Sequence, residues 1–94
     1  MEIRQINRQV SVSPQIRAGD VALIAQQGFR SIICNRPNDE EQGQPSADTI
    51  GRAAKDAALE FAYVPAVSGS ITPEDVKAMA HALAELPQPV LAYC

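Results

Sequence analysis

The chain has 94 residues, eight Lys and Arg against eleven Asp and Glu, a formal net charge of −3 and 46% hydrophobic residues. That suits one globular domain with its own core and is too apolar for a disordered chain. Scattered single cations, two Tyr, two Phe and no Trp supply neither a basic face nor stacking platforms, which argues against nucleic-acid binding.

The opening MEIRQINRQV has no basic region followed by an apolar stretch, so it does not read as a secretory leader. No run in the chain approaches the roughly 18 apolar residues of a membrane span. A cytoplasmic protein without membrane contact is expected, its two cysteines reduced. QVSVS, Gln9–Ser13, alternates and is rich in β-branched residues, which predicts a strand ended by Pro14. From Gly19 and Asp20 a helix is predicted, with Val21, Ile24 and Ala25 on its buried face and Gly28 just past its end. FRSIIC, Phe29–Cys34, predicts a second strand, and its unbroken apolar character predicts burial on both faces.

NRPNDEEQGQPSADT carries two prolines, a glycine and three consecutive acids, and predicts a long polar loop. Ser46 is placed to cap a helix running to about Leu59, with Ile50, Ala53, Ala54, Ala57 and Ala58 inward. EFAYVPAV, Glu60–Val67, predicts a third strand. SGSITPEDV predicts a turn and a strong helix start: Thr72 as N-cap, Pro73 first in the helix, Glu74 and Asp75 in its first turn. That helix sets Val76, Met79, Ala80, Leu83 and Leu86 on one face and Lys77, His81 and Glu85 on the other. In LPQPVLAYC, Pro87 and Pro89 deliver the chain into a buried strand ending at Cys94.

This alternation predicts an α/β domain: a mainly parallel four-stranded sheet with flanking helices and right-handed crossovers. Cys34 and Cys94 then both end parallel strands, at the carboxyl edge where such sheets bind ligands. A cysteine ending a central parallel strand is normally followed by a loop and a helix. Their backbone N–H groups favour the thiolate and form a cradle for a tetrahedral anion, the geometry of cysteine-dependent phosphatases and of rhodanese-type sulfurtransferases. The plain alternative is a small apolar residue ending a strand.

Several blocks, in order and in spacing, carry a resemblance: SPQ (Ser13–Gln15), GFRSIICNRPNDEE (Gly28–Glu41), GQPS (Gly43–Ser46), VPAVSGSIT (Val64–Thr72) and PVLAYC (Pro89–Cys94). Together they are similar to the bacterial beta-lactamase-hydrolase-like family, whose members carry a small phosphatase-like domain often described as a sulfur transferase. The resemblance implies a dual-specificity-phosphatase-like fold with Cys94 as nucleophile. In that family a glycine-containing loop and an arginine follow this cysteine, a Cys-x5-Arg phosphate cradle. It therefore implies that residues 1–94 are one phosphatase-like domain, incomplete at its C-terminus and inactive alone, while the full-length protein is an enzyme. Fusion to an oxidoreductase or a metallo-hydrolase domain is the further implication.

Two chemistries and one non-catalytic role follow from that reading. The first is attack of a Cys94 thiolate on a small anionic phosphoester. The second is rhodanese-type transfer of sulfane sulfur or a persulfide. The third is an anion-binding module of a larger protein. Relatives of this fold place an Asp after the third strand to protonate the leaving oxygen, whereas here that stretch holds Ser68, Gly69 and Ser70. Asp39, Glu40 and Glu41 are the substitute acids, unless they form only a solvated loop. Arg36 either binds an oxyanion, orients that loop, or pairs structurally with Asp39 or Glu40. Cys34 is a second thiol that could resolve or share a persulfide, or else an inert core residue. One His and two Cys without ligand spacing predict no metal site, and no cofactor is expected.

Overall fold

The computed structural model describes all residues, Met1–Cys94. Strand β1 (Arg4–Gln5) is followed by β2 (Val10–Ser13), then a 3-10 turn (Ala18–Asp20) running into α1 (Val21–Gln26). Next come β3 (Ser31–Cys34), α2 (Ala47–Asp56), β4 (Glu60–Tyr63), α3 (Pro73–Glu85) and β5 (Val90–Tyr93). The sheet order is β1-β2-β5-β3-β4, with the last four strands parallel and β1 antiparallel to β2. Among the four parallel strands β5 lies between β2 and β3. No helix is long and apolar enough to cross a membrane.

The sheet has five strands where four were expected. The additional one, β1, is two polar residues pairing Arg4 with Val12 and Gln5 with Ser11. No alternating pattern announces so short a strand. Asn7 makes the hairpin, its Oδ1 accepting from the backbone N–H groups of Gln9 at 2.8 Å and Val10 at 2.9 Å.

Alternation along β3 and β5 sorts the core into two layers. Ile32, Cys34, Leu91 and Tyr93 face α1 and α2 in a cluster with Ile16, Val21, Ile24, Ile50 and Ala54. Ile33, Val90 and Ala92 face α3, where Ala82 is the buried partner. Both strands are buried at every position, as their apolar runs predict.

Caps follow the sequence closely. Ser46 Oγ accepts from Thr49 N at 3.2 Å to start α2, and Asn38 Oδ1 accepts from Ala47 N at 2.8 Å. Thr72 and Asp75 form a reciprocal capping box around Pro73 to start α3. Two helical expectations are corrected. Helix α2 stops at Asp56, short of Leu59, because Ala58 turns left-handed (φ 61°) and is exposed, not inward. On α3, Met79, Leu83 and Leu86 are half-buried and Ala82 is buried, but Val76 and Ala80 are exposed. The third strand likewise ends at Tyr63 rather than Val67.

Candidate active site

Cys94 leaves the central strand between two neighbours that both hold it. Its N–H donates to the Ser13 carbonyl at 3.1 Å, continuing the β2 ladder, and Asn35 N donates to the preceding Tyr93 carbonyl at 2.9 Å. Parallel pairing sets Cys34 opposite Tyr93, so Cys94 lies one position further on and faces the opposite side from Cys34. It borders a cavity of about 540 Å³ between the sheet edge and α3, with Asn35, Val64, Ser68, Gly69, Asp75 and Met79 among its walls. Asn35 forms part of the base: its Nδ2 donates to the Val64 carbonyl at 3.0 Å and contacts Met79 Sδ at 3.5 Å.

Arg36 belongs to a different cluster. Its Nε donates to Glu40 Oε1 at 3.0 Å, one terminal nitrogen lies 3.5 Å from Glu41 Oε1, and the other donates to Gln15 Oε1 at 3.3 Å. The guanidinium is thus spanned by two carboxylates and an amide and borders a second, polar cavity of about 310 Å³ with Gln15, Arg17, Glu41 and Gln44. Asp39 takes the left-handed turn of the loop (φ 64°) and is exposed. Arg36, Asp39, Glu40 and Glu41 are not among the walls of the Cys94 cavity.

Cys34 is 2% exposed, and its thiol donates to the Arg36 carbonyl at 3.3 Å. Both cysteines are free thiols. His81 is exposed on α3, and no cluster of His, Cys, Asp or Glu is suited to hold a metal ion.

One carboxylate in the Cys94 cavity was not singled out from the sequence. Asp75 sits in the first turn of α3, half-buried, facing the same space as Cys94 and Ser68. Its capping role masked it, since Thr-Pro-Glu-Asp reads as a helix start and nothing more. Topology offers the missing signal: a helix that follows a parallel strand begins at the carboxyl edge, so its first-turn acids share that edge with the strand-end cysteine.

A family model described as beta-lactamase hydrolase-like protein, phosphatase-like domain, matches residues 2–94. Beta-lactamase hydrolase-like proteins of Xylella fastidiosa (strain Temecula1) and Agrobacterium fabrum (strain C58) are 37% and 34% identical over 94 residues, and the chain spans 22% of the length of each. A candidate phosphatase of Neisseria meningitidis, solved by crystallography, is 35% identical over the whole chain and 67% of its own, with a TM-score of 0.91. The core catalytic domain of a PP-IP phosphatase from S. cerevisiae shares the fold at 15% identity, over 98% of this chain and 54% of that one, with a TM-score of 0.73.

Proposed function

This chain belongs to the phosphatase-like domain family of beta-lactamase hydrolase-like proteins, and from that premise we propose that it acts on a small phosphorylated substrate through the Cys94 thiolate. The sulfur attacks phosphorus, the ester P–O bond breaks toward the leaving oxygen, and a covalent S-phosphoryl group results. The observation carrying this reading is the place of Cys94: the end of the central strand, its backbone and that of the preceding Tyr93 bonded to the strands on either side, bordering a cavity with Ser68 and Asp75. Arg36, spanned by Glu40 and Glu41, is the loop-orienting residue of this scheme, and the buried Cys34 is a core thiol.

Sulfur transfer is the second reading. It is favoured by the Ser68–Gly69–Ser70 loop, which offers no carboxylate, because transfer to a thiolate asks for no proton donor. The test compares p-nitrophenyl phosphate, serine phosphate and thiosulfate with the natural gene product and its Cys94→Ser variant. The phosphatase reading expects Cys94-dependent release of p-nitrophenol, with the aryl ester favoured over serine phosphate by about 10²–10⁴, the typical worth of a proton donor. Cys94-dependent turnover of thiosulfate alone would establish the sulfurtransferase. No Cys94-dependent turnover of any of the three would leave an anion-binding module.

A further inference from the structure

We infer that Asp75 is the proton acceptor for the second half of this reaction, hydrolysis of the phosphoryl group carried by Cys94; the inference rests on the phosphatase reading above. Each other carboxylate that the sequence nominated is outside the Cys94 cavity, and Glu40 and Glu41 are committed to Arg36. Asp75 lines that cavity with Cys94, Ser68 and Gly69. Its Oδ2 accepts the Thr72 N–H at 3.0 Å, and its own N–H donates to Thr72 Oγ1 at 3.1 Å. The carboxylate is therefore held at the helix start through Oδ2, on a residue that borders both the Cys94 cavity and the neighbouring one beside Tyr63 and Ser70.

A water oxygen attacks phosphorus while Asp75 Oδ1 takes one of its protons. The S–P bond breaks, its electron pair returns to Cys94 as thiolate, and inorganic phosphate departs. The proton then passes from Asp75 to solvent. Formation of the S-phosphoryl group from an aryl ester draws on no such group, because a phenolate leaves without protonation. Loss of Asp75 should therefore stall the cycle after its first half.

The variant to test is Asp75→Asn in the natural gene product, followed by rapid mixing with p-nitrophenyl phosphate. Asparagine keeps an oxygen acceptor for the Thr72 N–H, so the capping box survives. The expected result is a burst approaching one p-nitrophenol per Cys94, followed by steady turnover reduced about 10²–10⁴-fold. Thr72→Ala, which weakens the cap but keeps the carboxylate, should turn over within a few-fold of the parent and show no burst. A Cys94-dependent Asp75→Asn enzyme with parental turnover and no burst would overturn the role of Asp75 while leaving the nucleophile intact. Equal losses in Asp75→Asn and Thr72→Ala, both without a burst, would assign Asp75 to the helix cap alone. Absence of any Cys94-dependent release from the parent would remove the nucleophile and this inference together.

Discussion

Tyr93 closes β5 with 1% of its surface exposed, and its hydroxyl is buried without a hydrogen-bond partner. Burial first, and then the Cys34 sulfur beside it, push its phenol far above the ordinary value of about 10. The folded protein thus holds the phenol protonated where the unfolded chain releases it. The stabilisation is complete below about pH 10 and is lost as pH rises past that value, by about 1.4 kcal/mol per pH unit. Tyr93→Phe should flatten this alkaline limb. At pH 8 it should be at least as stable as the parent, since an unpaired buried hydroxyl costs about 1–3 kcal/mol. Urea unfolding at pH 8, 10 and 11 checks both limbs, and a Phe variant weaker at pH 8 would show that the hydroxyl contributes a bond.

At the scale of one element, the end of α2 is the informative case. Leu59 N donates to the Ala54 carbonyl at 2.8 Å and Ala58 N to the Lys55 carbonyl at 3.0 Å, the paired bonds of a Schellman closure. That closure requires a left-handed residue, and the chain supplies an alanine there, Ala58 at φ 61°. A β-carbon in that conformation costs about 1–2 kcal/mol, part of which glycine returns as backbone entropy. Ala58→Gly should therefore raise stability by about 0.5–1 kcal/mol, an inversion of the usual helix preference for alanine. Thermal melting of the two proteins measures it, and a lower midpoint for the glycine variant would refute the argument.

Within residues 1–94 the two faces of the sheet are unequally covered. The α1/α2 side carries a cluster of eleven buried residues, and the α3 side one of four. Only Ala82 of the thirteen residues of α3 is buried, while Ile71 and Val76 stand 57% and 59% exposed beside the cavity. Local stability follows buried contact, so the amides of α3 should exchange with deuterium well before those of α2 and β5. Ile50→Ala, on the dense side, should cost about 2–5 kcal/mol, and Val76→Ala less than about 0.5 kcal/mol. Equal protection of α2 and α3 would contradict this picture of an uneven core.

What the sequence determined by itself is local: the caps at Ser46 and Thr72, the alternation of buried strands, and the arrival of Cys94 at the carboxyl edge. Each depends on hydrogen bonds or periodicities spanning a few residues, or on crossover rules that those elements obey. Tertiary structure decided the rest. Strand β1 exists only because Asn7 folds a polar hairpin back onto β2, and α2 ends where Ala58 can turn rather than where its apolar pattern stops. A one-residue offset in register sends Cys34 into the core and Cys94 to the opposite face. Arg36 turns with its acids toward one cavity, while Asp75, written as a helix cap, faces the other. Which side chains meet across a sheet depends on register and on how far each helix lies over it, and neither is encoded within a single segment.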